Sequence, residues 1–453
     1  MESAHFDATT GPLGRLHSGW AFGKWLLDFR AFMSERRIIF LLGAVQFINI
    51  MDFMMVMPLG PDFAKALGIG TNHLGLVAGS YTASAAIAGL IGALFLDKFD
   101  RRKALFVAML GLAVGTATGG LSTGLGTMLL ARVLAGAFGG PATSSALSIL
   151  TDVVPPARRG KALGAVMGAF AAASVLGVPA GLELARLGGW RTPFFVIAVA
   201  GVAIAAAVTF VMPPMVQHLR AGRLAVHRSV GAFLADPTVL LALGATGLIM
   251  GGAFAVIVNL SSYVQFNLGY PREHLGMLYA VGGAVSFFTM RLAGRFVDRR
   301  GALQIVIIGT LVVCSVMALS FFPARPMLPI VAMFIGFMTG NSTRVVALNA
   351  LTTRVPSVTE RARFMSAQSA VQHLATAAGA TTSAWVLHAR PDLSLEGMPI
   401  LAVGAIATSL VVPVLVAAVA TRVRDRDAAA AAAAPPIGVA ATVPAPAAAI
   451  AGE

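Results

Sequence analysis

Residues 93–103 read ALFLDKFDRRK and residues 294–301 read GRFVDRRG, two copies of one pattern whose aspartates, Asp97 and Asp298, stand 201 positions apart. In each copy a small residue, Ala93 or Gly294, is followed four positions later by Asp and then by closely spaced basic residues. A pattern that returns after nearly half the chain marks the repeat of a large unit. Each copy also lies between apolar runs long enough to cross a bilayer. The repeated unit is therefore a group of membrane helices.

Composition agrees. Of 453 residues, 57% are hydrophobic and 11% are charged, whereas a soluble domain typically carries about 25% charged residues. That leaves too little polar surface for a water-soluble body. The 49 glycines fit a packed helical bundle, because glycine lets helices approach closely in lipid. The formal charge of +14 is spread as short clusters between apolar runs, which argues against nucleic acid as a partner. The single cysteine, Cys314, permits no intramolecular disulfide. Residues 1–37 show no early apolar core before a small-residue cleavage site, so the first span is expected to serve as the insertion signal.

A bilayer core of ~30 Å needs roughly 20 apolar residues per helix. The sequence predicts spans near 38–59, 73–96, 103–124, 126–150, 162–185 and 192–212, then near 238–260, 274–297, 302–322, 327–351, 364–388 and 398–420. With the N-terminus inside, cytoplasmic segments hold 25 of the Lys and Arg residues and the outer side 6, with Arg132 and Arg344 inside spans. This bias places both termini in the cytoplasm. The domain plan is a cytoplasmic segment over 1–37, a six-helix bundle over 38–212, a central cytoplasmic loop over 213–237, a second six-helix bundle over 238–420 and an Ala/Pro-rich tail over 421–453. The tail has few large apolar side chains to offset ordering entropy and is expected to be disordered.

The two loops resemble the signature of the major facilitator superfamily, a small residue with Asp and a basic turn between the second and third helices of each half. The first keeps Asp97, Lys98, Arg101 and Arg102, with Ala93 and Asp100 where the family has glycines. The second keeps Gly294, Asp298, Arg299 and Gly301. Arg132 to Gly136 is similar to the family's R-x-x-x-G motif. Gly177, Pro179 and Gly181 resemble the G-x-P-x-G element of its antiporters, and Asp52 stands in the first span as in the twelve-helix drug:proton antiporter branch, which also includes arabinose-efflux-like permeases. The resemblance covers residues 38–420. It implies an all-α integral membrane protein of twelve transmembrane helices in two pseudo-symmetric six-helix bundles, the major facilitator fold.

Asp52 is the only acidic residue deep inside a span. A charge at mid-bilayer costs at least ~2.5–3.5 kcal/mol on insertion scales, so it needs a partner, a wet cavity or a proton. At ~1.5 Å per residue Asp52 lies ~21 Å from the cytoplasmic edge of its span, and Arg132 lies ~9 Å below the outer edge of its own, which across a core of ~30 Å is also ~21 Å from the cytoplasm. Two readings stand: a proton-coupling site, or a static ion pair joining the first and fourth spans. Gln46 and Asn49 precede Asp52 at steps of three and share its helix face, with Met55 at the edge. Tyr81, Asn259, Asn341, Gln368 and Gln372 are further polar residues in or near spans, each a candidate for the substrate cavity or for an interhelical hydrogen bond. Arg344 lies ~10 Å inside the tenth span, open to an anionic substrate or to a helix C-terminus as a gate. His373 titrates near physiological pH or packs as a hydrogen-bonded histidine. The glycines and Pro179 of the fifth span serve close packing or a hinge. The two loops serve as gates, with Asp97 set at a helix N-terminus of the other half, or fix topology alone.

No phosphate-binding G-x-x-x-x-G-K-[ST] loop, zinc-type His/Glu cluster or G-x-S-x-G turn occurs. The expected protein is no enzyme and uses no metal or cofactor. It is a monomeric, multi-pass protein of a bacterial inner membrane whose partners are lipid, protons and a small molecule. The reading is a proton-coupled antiporter exporting a small amphipathic or sugar-like molecule by alternating access. A proton symporter for uptake and a non-transporting sensor on the same fold are the alternatives.

Overall fold

The computed structural model describes residues 14–155, 158–216, 233, 235–322, 326–356 and 360–433. Residues 1–13 of the N-terminal segment, nearly all of the central loop and residues 434–453 of the tail lie outside the described residues. Thirteen helices appear among the described ones. They are α1 (Gly14–Leu67), α2 (Leu74–Phe95), α3 (Arg101–Gly120), α4 (Leu125–Val153), α5 (Arg159–Ala172), α6 (Val178–Gly188), α7 (Thr192–Val211), α8 (Pro237–Ser262), α9 (Leu275–Arg300), α10 (Ala302–Phe321), α11 (Ile330–Thr352), α12 (Arg361–Val386) and α13 (Met398–Ala433). One π-helical turn, Ala173–Gly177, joins α5 to α6, and these two make the fifth crossing. Among the described residues the crossings number twelve, six in each half.

Ten helices are individually long and apolar enough to cross a bilayer. The other two crossings fall short for physical reasons. The fifth is cut by its π turn into α5 and α6, each too short alone. The eleventh, α12, has 26 residues but carries Gln368, Gln372 and His373 among small residues, which lowers its hydropathy. Both are sheltered by neighbours, α5 by α1 and α12 by α2 and α8.

Three features add detail to the expected plan. The cytoplasmic segment is continuous with the first span, since α1 runs from Gly14. The tail is helical as far as Ala433. Alanine is the best helix former, and Arg426 donates to the carbonyls of Val355 (2.7 Å) and Arg354 (2.6 Å) while Arg354 pairs with Asp427 (2.8 Å). The chain also contains one minimal sheet: β1 (His388–Ala389) pairs antiparallel with β2 (Leu395–Glu396) in the connection before α13.

The repeated loops are built differently. In the second, α9 ends at Arg300 and Gly301, at φ 86°, turns directly into α10. In the first, a 3-10 turn over Leu96–Lys98 precedes Asp100, which caps α3. Its Oδ1 accepts from the backbone N–H groups of Arg102 (3.0 Å) and Met215 (2.9 Å). The residue that departs from the family pattern is thus an N-cap.

Among the described residues, one end of the bundle carries the start of α1, the end of α13 and these loops; the opposite end carries the β1–β2 hairpin. The halves meet through α2 on α12, α1 on α8 and the fifth crossing on α9. Small residues permit the approach. A Cβ at Gly75 would lie 2.0 Å from the Ala380 carbonyl oxygen, and one at Gly283 would lie 3.0 Å from that of Ser174. At the hairpin end Asp62 of α1 accepts from Arg272 ahead of α9 (Nε to Oδ1 2.7 Å, Nη2 to Oδ2 2.5 Å). Thr71 donates to the Leu393 carbonyl (2.9 Å). This end is closed.

Gly75→Val should force α2 off α12, an overpacking that typically costs about 1–3 kcal/mol. In a Cys314→Ser background, spin labels at the exposed positions Lys65 and Arg390, one in each half, should move apart in this variant. An unchanged distance would show that the glycine contact does not hold the end shut.

Candidate functional site: a buried charge pair

Asp52 and Arg132 meet. Arg132 Nη1 donates to Oδ1 (3.1 Å) and Nη2 to Oδ2 (3.0 Å) of Asp52, a two-pronged pair, and Nη2 also reaches the Asp52 carbonyl at 3.3 Å. Both side chains are at most 1% exposed. Thr116 of α3 adds a hydroxyl donor to Oδ1 at 2.7 Å. The guanidinium lies 4.5 Å from the centroid of the Tyr81 ring on α2. One face of the cation is therefore covered by π density, while its Nε has no partner.

The glycines of α4 allow this. A Cβ at Gly136 would sit 2.2 Å from the Tyr81 carbonyl oxygen, and at Gly140 2.2 Å from that of Ala85. Close contact of α4 and α2 brings Tyr81 over Arg132. Its hydroxyl donates to Asn49 Oδ1 (2.6 Å), and Asn49 Nδ2 donates to the Gly139 carbonyl (3.0 Å) and to Thr143 (2.6 Å). Asn49 and Asp52, one helical turn apart on α1, thus anchor a polar network across four helices. Gln46, a turn earlier, is 3% exposed with its Oε1 unpartnered.

Asp52 faces into the first half, whereas Phe53, rotated ~100° from it, faces the other. Its ring stacks on Tyr81 (5.5 Å) and meets Phe254 of α8 (5.8 Å). A continuous row, Phe254–Phe53–Tyr81–Arg132, runs from the second half to the charge pair. Met55 is buried beside Gly181 of α6 and packs. A Cβ at Gly177 would lie 2.0 Å from Met51 Sδ, so the G-x-P-x-G element fits tightly on α1. Pro179 stands just past the π turn, where its missing N–H leaves no helix bond broken.

In the second half the expected residues disperse. Asn259 is fully buried, donating to the Ala255 carbonyl (3.2 Å) with Oδ1 unpartnered. Gln368 donates to Asn349 (3.1 Å) of α11, and Gln372 follows one turn later, partly exposed. His373 lies four residues before Ala377, which meets Gly79 of α2, so it faces the first half. Arg344, expected in the cavity, is buried, and its guanidinium donates to Ser409 of α13 (2.9 Å) and to Asn341, both inside the second half. Gly309 on α10 leaves it room, since a Cβ there would lie 2.8 Å from Arg344 Cγ.

Of the loop residues, Arg101 pairs with Asp152 (3.0 Å), and Arg102 donates to the Met212 carbonyl (3.2 Å) at the end of α7. Both contacts stay within the first half. Lys98, Asp298 and Arg299 are exposed, Gly294 has open space beside it, and the Asp97 side chain lies outside the described residues. The sequence reading missed Thr116, Thr143, Phe53, Phe254, Asp62 and Arg272. Only Phe53 carried a signal, its adjacency to Asp52.

A helical membrane protein of two related six-crossing halves that meet along a shared face and close at one end is built as a transporter. The chain belongs to the Major Facilitator Superfamily, whose sequence profile matches residues 42–380. It is similar to a chloramphenicol resistance protein of Streptomyces lividans, 27% identical over 63% of this chain and 72% of that one. Its fold matches the crystal structure of a bacterial homologue of the human lysosomal transporter Spinster, inward-facing and unoccupied (TM-score 0.62, 16% identity, 86% of this chain and 96% of that one). It also matches the crystal structure of a mutant of the nucleoside transporter NupG (TM-score 0.68, 12% identity, 84% and 99%).

Arg132→Met should destabilise the protein by about 3–5 kcal/mol, because the carboxylate is left buried without its cation. Adding Asp52→Asn should restore much of that loss. Thr116→Val should cost about 1–3 kcal/mol. Thermal unfolding of the detergent-purified variants checks all three, and a double variant no better than Arg132→Met would mean the two groups are not energetically coupled.

Proposed function

We propose that the protein is a proton-coupled antiporter that exports a small amphipathic or sugar-like molecule from the cytoplasm. The observation that supports it most is the Asp52–Arg132 pair, sealed in the first half yet joined to the other half by the Phe53–Phe254 contact. In this reading the end with the start of α1 and the end of α13 faces the cytoplasm of a bacterial inner membrane, and the closed hairpin end faces outward. The protein is then in an inward-facing state as a monomer. Rocking of the halves shifts Phe254 against Phe53, and Tyr81 passes the shift to Arg132. Coupling is the exchange of Arg132 for a proton as the partner of Asp52, so that one proton enters as one cargo molecule leaves.

The cargo binds beside the aromatic row, where Phe53, Phe254 and Met54 offer apolar, polarisable contacts. His373, facing the first half, is the second candidate for a titrating group, and Asn259, Gln368 and Gln372 are candidates for the cavity's polar contacts. The export direction draws support from the chloramphenicol resistance relative, and chloramphenicol belongs in the first panel of test compounds.

Protein reconstituted in proteoliposomes with an internal pH dye should show proton movement on addition of cargo, and uphill accumulation under an imposed pH gradient. Asp52→Asn should abolish accumulation while leaving cargo binding within a few-fold of wild type. Uphill transport by Asp52→Asn at the wild-type rate would remove Asp52 as the coupling group and turn attention to His373.

A further inference from the structure

Arg132 and Arg344 are both 1% exposed, but only Arg132 has a carboxylate. Among the described residues, every Asp and Glu beyond Asp236 lies in a loop, in the last turn of α9 or exposed near the end of α13. None pairs with Arg344. A guanidinium stays charged in proteins, and a buried charge requires an opposite charge or a dense set of hydrogen bonds. The two acceptors present, Ser409 Oγ and Asn341 Oδ1, are neutral. Arg344 Nε has no partner.

The surroundings offer a donor. Ser409 accepts from Arg344 and so keeps its own O–H free to donate. Asn341 Nδ2 is already spent on the Phe337 carbonyl (3.1 Å). A permanent cation, its open Nε–H and the Ser409 hydroxyl in a buried site without a carboxylate make a set of partners for an anion. One positive charge calls for one negative charge.

We propose that Arg344 and Ser409 form a binding site for a small monovalent inorganic anion, of which chloride is the probe, resident within the second half. The site lies between α10, α11 and α13, whereas the contact with the first half is carried by α8, α9 and α12. The anion is therefore a structural counter-ion and not the cargo. It supplies to the second half the negative charge that Asp52 supplies to the first.

The test is thermal unfolding of the full-length detergent-purified protein in chloride, gluconate and sulfate at matched ionic strength. Chloride should raise the wild-type midpoint along a saturating curve, by on the order of 5 °C, with gluconate and sulfate giving no such rise. Arg344→Met should lose the chloride response. Ser409→Asp places a carboxylate beside the guanidinium, so its midpoint in gluconate should reach that of wild type in chloride, with no further response to chloride. Equal wild-type midpoints in all three salts would overturn the site, as would a full chloride response retained by Ser409→Asp. Should Arg344→Met fail to fold, these two measurements decide the matter alone.

Discussion

A carboxylate and a guanidinium enclosed together inside a membrane bundle constrain everything near them. Removing two ions from water costs several kcal/mol each after relaxation, and the pair is tolerated only if its geometry and remaining hydrogen bonds are satisfied. Asp52 and Arg132 meet most of that demand with a two-pronged contact, the Thr116 hydroxyl and the Tyr81 ring, leaving only Arg132 Nε without a partner. Each partner comes from a different helix, so α1, α2, α3 and α4 must stand at one separation and one rotation. The close seating of α4 against α2 at Gly136 and Gly140 follows from the same requirement. A side chain at either position would lift Tyr81 off the cation.

The two halves share a topology but not an electrostatic plan. The first is held about a neutral pair, and the second about a cation among neutral oxygens and hydroxyls. They touch through apolar and small-residue surfaces, Phe53 on Phe254 and Gly75 on Ala380, which carry no directional bonds and can slide or part at modest cost. Directional contacts between the halves are found at the hairpin end, in Asp62–Arg272 and Thr71–Leu393. A soft central interface with polar ties at one rim suits a protein whose halves must rock.

Much of the site was legible because intramembrane charges are rare. Asp52 and Arg132 stood out by type, and their matched depth followed from the rise of a helix. Asn49 was placed on the right face by its spacing from Asp52. Thr116 and Thr143 were not legible, since a threonine in an apolar helix looks the same whether its hydroxyl bonds its own backbone or a neighbour. Asp62 and Arg272 sit near loops, where no periodicity indicates a partner 210 positions away. Arg344 stood out by type as well, but its contact with Ser409 of α13 was not legible, because the rotation of a helix depends on its neighbours.

Hydrophobic length, charge frequency and the spacing of a repeated loop are properties of one dimension. From these alone the sequence determined a membrane protein of twelve crossings, its division into two related halves, the family it belongs to and the charge pair at its centre. Which helices touch, how each is turned and which end is shut depend on the fit of surfaces from distant parts of the chain. The tertiary structure therefore decided that Phe53 carries the link between halves, that Arg344 bonds to Ser409, and that the hairpin end is closed. Those outcomes rest on where a glycine permits backbone contact, and a glycine's partner is visible only once the helices are packed.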